Sequence, residues 1–145
     1  MQTFLPDSSF QVSAQILDWR RCGKQRVESY QILKGDFPNH PACRMWAGYH
    51  AALASYGLLM CQEWIKRGYK DSLTPKFLEY IEKLGPLILP PWIGGPIHSN
   101  HRARLLAKDF NYYSQFGWSE KPTETNYWPV KKPYIKPKLR RTDHV

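Results

Sequence analysis

The sequence predicts an all-α fold: a single compact domain of about four helices with long irregular connections and a basic C-terminal arm. Three observations carry this. Apolar side chains recur at helical spacing through two long stretches, Phe10–Leu33 and Pro41–Arg67. No segment alternates apolar and polar residues as a strand would, and neither an internal repeat nor a useful run of heptads is visible. Residues 119–145 are Pro-rich and polar, with six cations and no acid between 131 and 141. That tail has little to bury, so residues 1–118 are expected to fold as the domain and 119–145 to be flexible or wrapped on its surface.

Each element has a local reason. Asp7, Ser8 and Ser9 can cap a first helix running from Phe10 to Leu33 or Lys34, with Gly35 as its stop. Two stripes run along it. Val12, Ile16, Gly23, Val27 and Tyr30 are expected to form the core face. Phe10, Ala14, Leu17, Arg21, Lys24, Glu28 and Gln31 start apolar and turn ionic halfway. Gly23 costs about 1 kcal/mol relative to Ala in a helix interior, so a bend or a close approach of another backbone is expected there. After the turn at Gly35–Pro38, Asn39 can cap and Pro41 suits the first turn of a second helix. That helix is expected to continue to Arg67, roughly 40 Å, and to end at Gly68. Ala47, Gly48, Ala51, Ala52 and Ala54 would let another helix cross it closely.

Thr74 and Pro75 start a third helix, which ends near Leu84 with Gly85 as its stop. The apolar, irregular stretch Pro86–Pro96 is expected to lie across the core as a strap. Ser99 or Asn100 can cap a fourth helix, His101–Tyr113. It carries Arg102, Arg104 and Lys108, then the aromatics Phe110, Tyr112, Tyr113, Phe116 and Trp118. The tail cations are Lys131, Lys132, Lys136, Lys138, Arg140 and Arg141.

Composition narrows the function classes. A net charge of +9 with 14% aromatic residues points to a polyanionic partner: cations track phosphates and aromatic faces stack on bases. The plainer reading, a core of aromatics under a solvated basic surface, holds equally for opposite faces of one helix. Three cysteines without a CxxC argue for free thiols and against a disulfide framework or a zinc ribbon. Cys22 lies among Arg20, Arg21 and Lys24, a setting that lowers a thiol pKa. A Cys–His nucleophile pair and an inert buried thiol are both open. His98 and His101 stand three apart with no further ligand nearby, so they are read as phosphate contacts or helix caps, and no metal or other cofactor is expected. The longest apolar run, Leu87–Ile93, is broken by Pro90 and Pro91, and no secretory leader is visible. A cytoplasmic protein, in the host cytoplasm if viral, with no membrane and no obligate protein partner, is expected.

The ionic stripe is the candidate chemistry. Arg21, Lys24 and Glu28 stack one turn apart beside a buried face, which can pair a carboxylate with cations in a cleft. The alternative is an ordinary Lys24–Glu28 ion pair on a solvated flank.

Several segments together resemble a known family: MQTFLP, LDWRRCGKQRVESYQIL, NHPACRMWAGYHAALASYGLLMCQEWIKRGY, IHSNHRARLLAKDFNYY and NYWP. They are similar to the phage pyrimidine-dimer DNA glycosylases and their bacterial and phage relatives. The resemblance implies a compact all-α fold acting on damaged double-stranded DNA. It implies base removal at cyclobutane dimers followed by strand cleavage at the abasic site. It further implies that a free α-amine attacks the sugar C1′ to form a Schiff base, supported by a Glu on the first helix flanked by Arg. Arg21 and Arg26 sit where those cations are wanted. The acid falls on Gly23 without a gap, leaving Glu28 preferred and Asp18 as the alternative. Gln2 is too large for removal of the initiator, so Met1 would supply the amine, with Lys24 as a second candidate. His40 falls close to a site histidine of the phage enzyme. Arg20, Arg26, His40, His98, His101, Arg102, Arg104 and Lys108 would hold DNA. Two other readings stay open: a catalytically lapsed nucleic-acid-binding module, and an enzyme acting on a modified base or nucleotide.

Overall fold

The computed structural model describes residues 1–130 and 133–140. Among these the chain forms seven α-helices and no strand. They are α1 (Phe10–Ile16), α2 (Trp19–Lys34), α3 (Pro41–Arg44), α4 (His50–Lys66), α5 (Thr74–Lys83), α6 (Ile97–Lys108) and α7 (Phe110–Tyr113). The tail cations Lys131, Lys132 and Arg141 lie outside the described residues.

The expected first helix is two helices. Ser9 caps α1 by accepting from the Val12 amide, but Leu17 and Asp18 are extended, and α2 restarts at Trp19. The break is made by tertiary contacts. Leu17 is fully buried, the Asp18 amide donates to the Tyr113 hydroxyl (3.1 Å), and that hydroxyl donates back to the Asp18 carboxylate. The helical phase resets there, and the predicted core face holds in part: Gly23 is buried and Ile16 and Tyr30 pack on the core, while Val12 and Val27 are exposed at 38% and 42%. Cys22, Gln25, Ser29, Ile32 and Leu33 face inward instead. Gly23 is explained by a side chain rather than a backbone: a Cβ there would come within 2.9 Å of the Trp64 ring.

The expected long second helix is likewise divided. His40 caps α3 through Nδ1, which accepts from the Ala42 amide (3.0 Å). The chain then turns at Gly48, whose φ of +85° disfavours any side chain, before α4 begins at His50. α4 is the central helix, packed on α1, α2 and α5. It meets α5 tightly at Gly57, where a Cβ would come 2.2 Å from the Phe77 ring. The strap covers the core through Trp92, whose indole N–H donates to the Met45 carbonyl (3.1 Å), while Leu87, Ile88 and Leu89 point outward. α6 begins at Ile97, earlier than expected, since Pro96 provides its cap position. It ends at Asp109, whose side chain caps the separate α7.

The described part of the tail wraps the domain. Trp128, Val130 and Tyr134 pack on the core, Asn100 donates to the Thr125 carbonyl (2.8 Å), and the Tyr134 hydroxyl donates to the Ile32 carbonyl (3.1 Å). Among the described residues no helix is long and apolar enough to cross a membrane.

Candidate active site

Residues 1–6 form an extended segment laid through the middle of the domain, with Thr3 and Leu5 fully buried. A buried extended segment must find partners for its backbone groups, and here side chains supply them. The Leu5 amide donates to His101 Nδ1 (2.8 Å), the Leu5 carbonyl lies 2.8 Å from His98 Nδ1, and the Pro6 carbonyl accepts from Arg102 (2.9 Å). His98 Nε2 accepts from the Gly94 amide (2.8 Å), so Nδ1 carries the proton given to Leu5. Burial pushes His101 down to about 3, keeping it neutral as an acceptor.

Four residues read as DNA contacts therefore have other work in this structure. His98 and His101 are buried anchors of the N-terminal segment. Arg102 is held by Glu120 (2.8 Å), whose carboxyl its hydrogen bonds pull below the usual range. Arg26 is 13% exposed, ion-paired with Asp71, and lies over the Trp64 ring at 4.7 Å.

The segment delivers Met1 and Gln2 to a cleft of about 400 Å³ between α2, α6 and the tail. Arg20, Arg21, Lys24, Arg104 and Lys108 line it with one carboxylate, Glu28; His40, Asn126 and Trp128 close it. Glu28 Oε2 accepts from the Gln2 amide (3.2 Å) and from Gln25 Nε2 (3.0 Å). Among the described residues Lys24 and Glu28 form no ion pair, so the alternative of an ordinary i,i+4 pair does not hold: the carboxylate is held by Gln2 and Gln25 instead. Asp18, the alternative acid, lies beneath Arg21 (3.2 Å) and Tyr113, outside the cleft lining.

The electrostatics tie the terminus to this cleft. His40 is held below the usual histidine range, first by burial and then by the positive α-amine, with Glu28 opposing. Its Nδ1 accepts from the Ala42 amide, which leaves Nε2–H as the donor of the neutral ring. The Lys108 ammonium is depressed by burial and by the charges of Arg104 and Arg21. Arg104 donates to the Glu124 carbonyl (3.0 Å) and keeps its buried Nε unpartnered. The Met1 side chain packs on the core with its sulfur 4.0 Å from that of Cys43.

The lowered thiol pKa expected for Cys22 is overturned, and of the two thiol readings the inert one holds. Cys22, Cys43 and Cys61 are buried and free, and burial pushes Cys22 up to about 11 despite its basic neighbours in sequence. A protonated, enclosed thiol is no nucleophile. Among the described residues no His/Cys/Asp/Glu group could hold a metal.

Gln25, Tyr56, Asn126 and Trp128 have no role in the sequence reading. The signal for Gln25 was present: a polar residue in phase with Cys22, Ser29 and Ile32. Asn126 and Trp128 belong to the NYWP segment, and the Trp128 ring meets His40 edge-on at 5.7 Å.

A family model described as pyrimidine dimer DNA glycosylase matches residues 1–76, a span holding Met1, Arg20, Arg21, Lys24, Gln25, Glu28, His40 and Tyr56. No curated protein and no solved structure matches the chain.

Proposed function

We propose, from the premise that this chain belongs to the pyrimidine dimer DNA glycosylase family, that its cleft removes a damaged pyrimidine and then opens the strand at the resulting abasic sugar. The observation that carries this reading is the Gln2 amide 3.2 Å from Glu28 Oε2. It puts the chain terminus, the one carboxylate and five cations in a single cleft. The neutral α-amine of Met1 attacks C1′ of the damaged nucleotide as the C1′–N bond breaks, and the base leaves with a proton. Opening of the sugar ring, with O4′ taking up a proton from solvent, gives an iminium between the amine and C1′. Loss of the C2′ proton then breaks the C3′–O bond, and water releases the amine. Positive charge develops at C1′ and on the iminium nitrogen, where the fixed carboxylate of Glu28 stabilises it. A neutral His40 donates through Nε2–H and adds no charge against the amine. Arg20, Arg21, Lys24, Arg104 and Lys108 neutralise backbone phosphates, so duplex affinity falls as salt rises. Lys24, exposed at the cleft wall, is the second amine in reach.

The test is a nicking assay on a duplex carrying one thymine dimer and, in parallel, one abasic site. Cleavage of both supports the full reading. Cleavage of the abasic duplex alone leaves a lyase, and salt-dependent binding without cleavage of either leaves the binding module. One observation favours that module: the group facing Glu28 is a peptide N–H, and the free amine stands one residue further on.

A further inference from the structure

We propose that Gln25 is a positioning residue: its buried amide, backed by Tyr56, sets the distance and angle between the chain's α-amine and Glu28. This rests on the reading of the cleft given above. Gln25, at the floor of the cleft, is 1% exposed and Tyr56 is fully buried, so their effect on the reaction passes through the groups they hold.

The geometry is a two-rung clamp. An extended strand points alternate amides to one side, and a helix puts residues three apart on one face. Here the two periods coincide. The Gln2 amide donates to Glu28 (3.2 Å) and the Phe4 amide donates to Gln25 Oε1 (2.7 Å). The rungs are cross-linked, because Gln25 Nε2 donates to Glu28 Oε2 (3.0 Å). The amide cannot be turned round, since its oxygen is required by Phe4 and its nitrogen by the carboxylate. From α4 the Tyr56 hydroxyl lies 2.7 Å from both the Phe4 carbonyl and Gln25 Oε1, and its one proton serves or bridges the two. Burial first and Glu28 second raise that phenol well above its ordinary range, so it remains a donor. The register of residues 1–4 against α2 therefore passes through one side chain. A core amide that merely needed partners would not require the catalytic carboxylate as one of them.

The titratable groups that face this pair are the α-amine from the N-terminal segment, Arg20, Cys22 and Lys24 from α2, His40 from the cap of α3, Tyr56 from α4, and Arg104 and Lys108 from α6. Arg21 also lines the cleft, paired with Asp18.

The test compares wild type with Gln25→Met, of similar shape but unable to make these bonds, and with Gln25→Glu. The readouts are the single-turnover rate of borohydride-trapped adduct on an abasic duplex, the affinity for that duplex, and the pH profile of the rate. Gln25→Met should lower the rate by about tenfold to a hundredfold, the cost of a small misplacement, with duplex affinity unchanged. Gln25→Glu should recover as pH falls, because its protonated carboxyl again offers a donor to Glu28 and an acceptor to Phe4. Wild type should show no such recovery. Wild-type rates and profile in Gln25→Met overturn the proposal, even if that variant melts earlier. Should Gln25→Met not fold, Tyr56→Phe reads the same relay: a slower adduct at unchanged affinity supports it, and an unchanged rate overturns it. If wild type itself gives no adduct, the catalytic reading has failed, and acylation of the α-amine by a small reagent still decides the positioning. Altered α-amine reactivity in Gln25→Met supports it and identical reactivity overturns it.

Discussion

The substitution Glu28→Gln separates catalysis from binding. The Gln2 amide nitrogen is 3.2 Å from the carboxylate, and the amine lies one residue beyond, which places the iminium nitrogen roughly 5 Å from the negative charge, given the reach of one residue. At an effective dielectric of about 20, a unit pair at that distance is worth about 3 kcal/mol. That corresponds to a rate loss of about two hundredfold, in the range found for removing one preorganised stabilising group. The fold should survive, because the oxygen of the introduced amide can still accept from Gln2 and Gln25. Affinity for the duplex should hold or rise, since the cleft loses its one negative lining charge. Single-turnover trapping on an abasic duplex, with binding measured in the same buffer, reads both quantities. Equal loss of stability, binding and rate would make Glu28 a structural carboxylate and refute the argument.

Other consequences follow from the packing. Gly57→Ala should destabilise the fold by about 1–3 kcal/mol, because a Cβ 2.2 Å from the Phe77 ring forces overpacking that outweighs the gain in helix propensity; denaturant unfolding measures it. Asp71 is lowered from 3.8 to about 2: burial raises it, but hydrogen bonds from Thr74 and Arg26 prevail. Its folded-state value is depressed, so about 2 kcal/mol of stability is present above pH ~4 and is lost as pH falls through about 2. Asp71→Asn should abolish that acid limb in a pH–stability series. Native-state alkylation should leave all three cysteines unmodified, with Cys61 pushed up to about 12 and each thiol buried; rapid labelling of Cys22 would contradict the packing around Met60. Deleting 119–145 should cost stability as well as DNA affinity, because Glu120 pairs with Arg102 (2.8 Å), the Tyr134 hydroxyl donates to the Ile32 carbonyl (3.1 Å) and Trp128 closes the cleft; a stable product with merely a flatter salt slope would show a free arm.

The helical class was legible because its signals are local: Ser9, Gly35, Pro41 and Thr74 mark helix ends where they were expected. The second break falls at Gly48, which the sequence offered only as a small residue for close helix crossing, and the first was not legible, because long-range contacts make it. Nothing in the residues around Leu17 and Asp18 announces that Tyr113, distant in sequence, will take over the Asp18 amide. Charge was the least transferable signal. Arg20, Arg21, Lys24, Arg104 and Lys108 do meet in one cleft, while Arg26 and Arg102 find Asp71 and Glu120 inside the fold. His98 and His101 looked like phosphate ligands because sequence does not show that Leu5 will need partners for its buried backbone. Gln25 was passed over although it is in phase with Cys22, Ser29 and Ile32, because the inward face of α2 is set by the break at Leu17 and Asp18.

The central claim is that the chain's own α-amine does the chemistry. Borohydride reduction of the protein with an abasic duplex tests it directly, after intact mass has established which residue carries the free amine. The expected result is a covalent adduct that maps to the N-terminal peptide and is lost when the α-amine is blocked. An adduct at Lys24 would move the nucleophile across the cleft. Binding with no adduct at any pH would contradict the claim.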